Sequence, residues 1–296
     1  MTRPERPAAK FPLRLDQLAA GKSTAVTRPA APAAAAPFRP PVSALASAAR
    51  AVLRPQQPLA HAHRNALRQP AAASGLGLDS ADVRQRMVQR LRAGGLQHAA
   101  VLGAMGAVQR HRFVDAALVT QAYEDTSLPI GHAQTISKPS VVARMIELLF
   151  DGASARQSGS LGKTLEIGTG CGYQAAVLAL LARQVYSVER LKPLHDKARE
   201  LLAPARPVNL RLVYGDGMLG HAPNAPYDSI IAAAGGDALP PAWLDQLAIG
   251  GRLVSPVREA GSKRQVLVVV DRTESGYRQT VHEAVQFVPL KSGLIA

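Results

Sequence analysis

The fold is decided by the stretch KTLEIGTGCGYQAA, residues 163–176, where a short apolar run ends in a glycine-rich turn and an apolar helix begins. A strand that leads through glycines into a helix is the context in which nucleotide-binding loops are found. Glycine permits a tight turn and lets the backbone approach a ligand without a Cβ between them. We therefore expect Gly168, Thr169, Gly170 and Gly172 to bind a cofactor.

Strand-like and helical segments alternate after this turn. Further apolar runs are QVYSVE, LRLVYGD, SIIAAA, RLVSPV and QVLVVV, with helical sequence at 173–182 and 192–202. Such alternation predicts parallel strands covered by helices on both faces. Two final strands are predicted at 266–271 and 281–288. Only a turn separates them, which predicts an antiparallel pair. The expected fold class is α/β, a Rossmann-like, doubly wound, mostly parallel sheet with an antiparallel edge at the C-terminus.

The sequence ahead of the sheet predicts a small helical region. Apolar residues at helical spacing indicate a helix from about residue 79 to the glycine pair at 94–95, and a second helix over 97–107. A loop is expected over 123–138. A helix over 139–150 follows, because proline at its first position is favourable.

Charge is distributed unevenly along the 296 residues, whose formal net charge is +14. Residues 1–78 hold eleven Lys or Arg and two acidic residues, whereas the rest of the chain holds 24 basic and 19 acidic residues. The first segment is also rich in Ala and Pro, a composition that disfavours a packed core. We expect a disordered extension over 1–78 and one folded domain over 79–296.

Composition excludes several classes of protein. The single cysteine, Cys171, excludes an intramolecular disulfide and a cysteine-cluster metal site, and no metal is expected. No stretch approaches the roughly 20 apolar residues of a membrane span. The basic N-terminus lacks the apolar region of a secretory signal. These features favour a cytoplasmic protein without a membrane partner.

The acidic residues near the glycines indicate which nucleotide is bound. Dinucleotide-binding folds use G-x-G-x-x-G to seat a pyrophosphate, whereas here Glu166 precedes closely spaced glycines and would repel a phosphate. Glu189 ends the next strand, where a carboxylate can accept both ribose hydroxyls. Asp216 and Gly217 follow the third strand, where a carboxylate could accept from an adenine amino group. S-adenosylmethionine, which is cationic and has no phosphate, fits this pattern.

Two stretches resemble the protein-L-isoaspartate O-methyltransferase family, PIGHAQTISKP at 129–139 and LEIGTGCGYQAAVLA at 165–179. The resemblance covers about residues 80–294, and its further matches are GDG at 215–217, APYD at 225–228, LDQL at 244–247, GGRLV at 250–254 and FVPL at 287–290. It implies methyl transfer from S-adenosylmethionine to the α-carboxylate of L-isoaspartyl residues in damaged proteins and peptides. The ester would then start repair through a succinimide.

The resemblance also implies roles for individual residues. Ser137 matches the active-site serine of the family and is the expected catalytic residue, with a hydroxyl that donates to the substrate carboxylate. Thr135 and Ile136 would shape the same loop, and Val288 and Leu290 would line the peptide groove.

Three residues keep two interpretations at this point. Ser137 could instead cap the helix that begins at Pro139. Lys138 and Lys291 depart from the family pattern, and each could favour anionic peptides or be a solvated surface lysine.

Different functions on the same scaffold compete with this interpretation. A methyltransferase acting on nucleic acid would exploit the basic charge, but stacking aromatics are few, at 4% of residues, and most of the excess charge lies in 1–78. An enzyme that methylates a different carboxylate and a catalytically silent binding protein are also compatible with the motifs. We expect a monomeric enzyme that acts on isoaspartyl-containing proteins and not on nucleic acid.

Overall fold

The structure is a computed structural model that describes residues 81–205 and 207–296. The extension expected over 1–78 lies outside the described residues. The helices of the described part are α1 Ala81–Ala93, α2 Ala99–Ala107, α3 Pro139–Phe150, α4 Ala153–Ser158, α5 Tyr173–Ala179, α6 Lys192–Leu202 and α7 Pro241–Asp245. Its strands are β1 Leu128–Gly131, β2 Gln134–Ile136, β3 Lys163–Ile167, β4 Gln184–Glu189, β5 Leu210–Tyr214, β6 Tyr227–Ala232, β7 Leu247–Arg258, β8 Gln265–Thr273 and β9 Gly276–Val285.

Seven strands form one sheet in the order β5-β4-β3-β6-β7-β8-β9. Strands β3 to β7 pair in parallel, while β8 is antiparallel to β7 and β9 is antiparallel to β8. The predicted fold class is therefore confirmed. The chain winds outward through β4 and β5, and then returns to the other side of β3 at β6. Ligands in open α/β sheets bind at such a switch point, outside the carboxyl ends of the strands.

The central strands of the sheet are buried on both faces, which explains why they are apolar runs and not alternating patterns. In β8, Val266, Val268 and Val270 pack into the core on one face, and Leu267 and Val269 pack into the core on the other. Within the described residues, no helix is long and apolar enough to cross a membrane.

Several sequence-based boundaries were wrong; for example, the helix expected over 173–182 ends at Ala179. The loop expected over 123–138 contains the antiparallel hairpin of β1 and β2, whose strands are too short to give a periodic pattern. The last strand is β9, so it begins five residues earlier than expected and ends before Val288, because an exposed edge strand carries polar residues. The second helix begins at Ala99, two residues later than expected.

Candidate active site

A pocket lies at the carboxyl ends of β3, β4 and β6, at the switch point of the sheet. Three parts of the chain form most of its wall: residues 167–171, 173 and 174 from the end of β3 into α5, residues 132–137 of the β1–β2 hairpin and just after it, and residues 288–291 near the C-terminus. The glycine turn and the family-like loop, which are separated by about 30 residues in the sequence, therefore line one cavity.

The glycine turn forms a cradle that a side chain would fill. Gly168 and Gly170 line the pocket with φ of +90° and +55°, in the left-handed region that favours glycine. A Cβ on Gly170 would lie 3.2 Å from Cδ1 of Ile130. Backbone without side chains at this point suits the close approach of a flat nucleoside.

Glu189 lies at the end of β4 in the pocket wall and is 5% exposed. Its Oε2 accepts a hydrogen bond from the Gly170 N–H at 2.9 Å, and its Oε1 accepts from the Leu191 N–H at 3.0 Å. Because each carboxylate oxygen has two acceptor positions, both oxygens retain one for a ligand. The geometry suits a pair of adjacent hydroxyls, as the sequence predicts for a ribose.

Glu166 does not line the pocket, in contrast to the expectation that it faces the ligand. It is fully buried beneath the glycine turn, where the Ser187 hydroxyl donates to its Oε2 at 2.5 Å. The hydroxyl groups of Ser187 and Thr169 are linked by a hydrogen bond of 2.6 Å. A chain of two hydrogen bonds therefore connects the Glu166 carboxyl group to Thr169 in the pocket wall. Burial raises the pKa of Glu166 to about 8, against the opposing effect of the Ser187 hydrogen bond. Its Oε1 makes no hydrogen bond within 3.5 Å to a described residue, and the nearby Gln174 side chain also acts to lower the pKa.

Asp216 also lies outside the pocket wall, whereas Gly217 is part of it. The Asp216 carboxylate accepts from the Gly293 N–H at 2.7 Å, the Ser292 hydroxyl at 2.9 Å and the Met218 N–H at 2.9 Å. Burial would raise the pKa of Asp216, but these hydrogen bonds outweigh it and lower the pKa. This carboxylate holds the C-terminal segment through Oδ2, while Oδ1 accepts only the Met218 N–H and retains one acceptor position.

Gly172 supports the cradle from behind and does not line the pocket. Its φ is +90°, and a Cβ there would lie 2.9 Å from Cδ1 of Leu202 on α6. The glycine therefore allows α5 and α6 to pack closely.

The residues expected on the substrate side come together. Ser137, Thr135, Ile136, Val288 and Leu290 all line the pocket. The last two are fixed by backbone hydrogen bonds of 2.9 Å, in which the Gly235 N–H donates to the carbonyl of residue 288 and the residue 290 N–H donates to the carbonyl of Gly235.

The capping interpretation of Ser137 is wrong. Asp125 binds the first turn of α3, where its Oδ1 accepts from the Ser140 N–H at 2.9 Å and its Oδ2 accepts from the Ser140 hydroxyl at 2.7 Å. Lys138 occupies the N-cap position and makes no side-chain capping bond. Among the described residues the Ser137 hydroxyl has no hydrogen-bond partner, and it is available to a ligand.

The pocket includes residues that the sequence pattern did not single out: Ile130, Tyr173, Gln174, Arg190, Leu191, Ala233, Ala234 and Ile295. Ala233 and Ala234 directly follow β6, so the strand-end argument that selected Glu189 also applies to them. Nothing in the sequence indicates Ile295, which reaches the pocket because it pairs with Leu191 in a parallel bridge.

Comparison with known proteins identifies the family of the chain. The family model described as protein-L-isoaspartate(D-aspartate) O-methyltransferase matches residues 82–294. A protein-L-isoaspartate O-methyltransferase of Methylibium petroleiphilum is 58% identical over 294 residues, which is 99% of each chain. One of Leptothrix cholodnii is 60% identical over 260 residues, 86% of this chain and 90% of the relative.

Solved structures show the same fold. A protein-L-isoaspartate O-methyltransferase structure aligns with a TM-score of 0.63 and 25% identity, over 71% of this chain and 67% of the other. A Plasmodium falciparum structure, described as a protein of this type in complex with S-adenosyl-L-homocysteine, aligns with a TM-score of 0.60 and 23% identity, over 70% and 98% of the two chains. The chain therefore belongs to the protein-L-isoaspartate(D-aspartate) O-methyltransferase family, whose members are methyltransferases that use S-adenosylmethionine.

Proposed function

We propose that the chain methylates the α-carboxylate of L-isoaspartyl residues in proteins and peptides, with Ser137 as the residue that orients the carboxylate. S-adenosylmethionine supplies a methyl group on a cationic sulfur, and a carboxylate oxygen forms the new O–C bond as the C–S bond breaks and sulfur keeps the electron pair. The observation that carries the proposal is the unpartnered Ser137 hydroxyl in the wall of the pocket that also contains the glycine cradle and Glu189.

On the cofactor side, the proposal gives direct contacts to the residues of the pocket wall. Gly168, Thr169, Gly170 and Gly217 would offer backbone groups, and Glu189 would accept from ribose hydroxyls with its free acceptor positions. Three predicted cofactor residues would act as supports and not as contacts: Glu166, Gly172 and Asp216.

On the acceptor side, the chemistry requires orientation more than a base. An α-carboxyl group has a pKa of about 3.3–3.7 and is already ionised at neutral pH. A hydroxyl that donates to one carboxylate oxygen leaves the other free to attack and fixes its direction, and correct alignment of reacting groups lowers the barrier strongly. Thr135, Ile136, Val288 and Leu290 would hold the peptide on either side of the acceptor.

The deciding experiment measures transfer of labelled methyl groups to an isoaspartyl peptide and to the same peptide with a normal aspartate. We expect labelling of the first only. Equal labelling of both would point to a general carboxylate substrate, and labelling of neither would refute the proposal.

Replacing Ser137 tests its role. Ser137→Ala is expected to lower kcat about tenfold, the effect of one hydrogen bond to a charged group, while cofactor affinity is unchanged. Ser140→Ala is a matched control, because its hydroxyl binds only Asp125 at the start of α3. Reduced cofactor affinity in Ser137→Ala would instead indicate a general defect of the hairpin.

We further propose that residues 79–296 are the complete catalytic domain and that the enzyme is a cytoplasmic monomer that does not act on nucleic acid. The match of the family model to 82–294 supports the domain boundary. Truncation at residue 78 should leave methylation of a short isoaspartyl peptide intact, and size-exclusion chromatography should give the mass of one chain. RNA retention by the truncated protein in a filter-binding assay would contradict the proposal that the enzyme does not act on nucleic acid.

A further inference from the structure

A buried arginine lies behind the acceptor side of the pocket. Arg110 is 0% exposed, and its guanidinium donates to three backbone carbonyls. Nε donates to the carbonyl of Ala122 at 2.8 Å, and Nη2 donates to the carbonyls of Ser137 at 2.8 Å and Thr126 at 3.4 Å. Thr126 precedes the β1–β2 hairpin and Ser137 follows it, so one guanidinium ties both ends of the hairpin together.

The same guanidinium reaches the cofactor side. Its Cζ lies 4.8 Å from the ring centroid of Tyr173, the first residue of α5, which lines the pocket. Arg110 therefore contacts both the hairpin of the acceptor side and the Tyr173 ring, although its own side chain does not line the pocket.

The charge of Arg110 is not neutralised by an ion pair with any described residue. Its three acceptors are neutral carbonyls, and Nη1 is buried without a hydrogen-bond partner. Tyr173 favours the charged form of Arg110 most and Asp125 least, and the Asp125 carboxylate is exposed and accepts from Ser140. Burial lowers the pKa of Arg110, yet an arginine stays protonated, so the protein holds an uncompensated cation here.

A buried cation without a counter-ion is costly in a folded protein. We propose that Arg110 is a positioning and specificity residue for the acceptor: it fixes the Ser137 loop through its backbone, and the acceptor carboxylate supplies the charge that balances it. This inference rests on the proposed function for the identity of the acceptor. It explains why a site for an anion has a serine hydroxyl without a hydrogen-bond partner in its wall and a guanidinium without a counter-ion among the described residues nearby.

The test measures peptide affinity while the charge of the ligand and the charge at position 110 are varied separately. The enzyme is loaded with S-adenosyl-L-homocysteine so that no transfer occurs, and the Kd is measured for an isoaspartyl peptide and for the same peptide with its α-carboxylate replaced by a carboxamide. The variants are Arg110→Gln, which keeps donors but removes the charge, and Arg110→Lys, which keeps the charge. Arg252→Met is the control, since Arg252 is a mostly buried arginine that pairs with Asp271 and not with the hairpin.

We expect Arg110→Gln to reduce the preference for carboxylate over carboxamide about tenfold, at the lower end of what a nearby opposite charge does to the ionisation of a carboxyl group. Arg110→Lys should restore that preference, but its kcat should stay about tenfold below wild type because one ammonium cannot hold both ends of the hairpin. The control should keep the wild-type preference. An equal loss of affinity for both peptides in Arg110→Gln would overturn the inference.

A measurement on the unmodified enzyme covers the case in which Arg110→Gln does not fold. Screening by salt is weak for a buried charge and strong for exposed ones, so the carboxylate preference should persist when salt is raised from low to high concentration. A preference lost in salt would assign it to exposed Lys138 or Lys291 and refute the role of Arg110. If the unmodified enzyme selects the carboxylate but does not methylate it, the proposed function fails and the inference about Arg110 stands.

Discussion

The two halves of the pocket are held in place by different means. The cofactor half follows β3, β4 and β6, strands that pair in parallel at the centre of the sheet and are buried on both faces. The acceptor half lies on a two-stranded hairpin outside that sheet, closed by a turn in which His132 and Ala133 both have φ near +54°. Its two ends meet at the guanidinium of Arg110.

This difference predicts how each half responds to substitution. On the cofactor half, the parallel strands fix the backbone. The Glu189 carboxylate links the turn after β3 to the turn after β4, because it accepts from the Gly170 and Leu191 N–H groups. On the acceptor half, the backbone itself depends on hydrogen bonds to one side chain. Polar substitutions should therefore change cofactor affinity alone on the first half, and change turnover on the second.

The largest expected effect on ligand binding is at Glu189. In Glu189→Gln, one acceptor becomes a donor, so either the Gly170 or the Leu191 N–H loses its partner and a ribose hydroxyl loses an acceptor. We expect cofactor affinity to fall about 100-fold, as for hydrogen bonds to charged groups, with little change in the KM of the peptide. Titration calorimetry with S-adenosylmethionine measures it, and Glu200→Gln, exposed on α6, is the control. A rise in peptide KM alone would contradict the separation of the two halves.

The buried carboxyl group of Glu166, beneath the cofactor half, should make the stability of the protein depend on pH. Burial raises the pKa of Glu166 from an ordinary value near 4.5 to about 8. Below the lower value the group is protonated in both folded and unfolded chains. Between the two values only the unfolded chain loses the proton, so the folded state loses stability as pH rises, by at most about 1.4 kcal/mol per pH unit.

Glu166→Gln mimics the neutral acid and should remove this dependence. Urea unfolding of the variant and the wild type from pH 5 to pH 8 should show the variant gaining relative stability as pH rises. Parallel curves for the two proteins would mean that the wild-type carboxyl group is ionised when buried, and the cofactor half would then hold a negative charge.

Much of the cofactor half could be predicted because its residues follow directly from strand ends. The apolar run before Gly168 identifies β3, and the end of β4 places Glu189, without any knowledge of tertiary packing. The sequence correctly places Asp216 after β5. It does not reveal the hydrogen-bond partners Ser292 and Gly293, because they are more than 70 residues away in the chain. Glu166 was misassigned because position alone does not show which face of β3 opens to the ligand.

The acceptor half was less accessible to the same reasoning. The hairpin strands have four and three residues, and the alternation of buried and exposed residues in β1 is too short to distinguish a strand from a loop in the sequence. Ser137 was found through the family resemblance, and the local sequence was equally compatible with a cap. Arg110 has no signal in the sequence, because a buried arginine and an exposed one look alike until the fold is known.

The smallest expected effect is at the tip of the hairpin. Ala133 has φ of +54°, a conformation that costs an L-residue about 1–2 kcal/mol, while glycine adopts it freely but loses about 0.5–1 kcal/mol more conformational entropy on folding. Ala133→Gly should therefore raise the free energy of unfolding by about 0.5 kcal/mol, the difference between these effects.

Ala100→Gly is the matched control, because Ala100 is exposed within α2 and the same substitution there should cost about 1 kcal/mol. Opposite signs for the two variants in urea unfolding would show that the tip is held in the left-handed conformation by the rest of the hairpin. Destabilisation of both by the same amount would mean that the tip relaxes to ordinary φ in solution. The acceptor half would then be ordered only at its base, where Arg110 binds it.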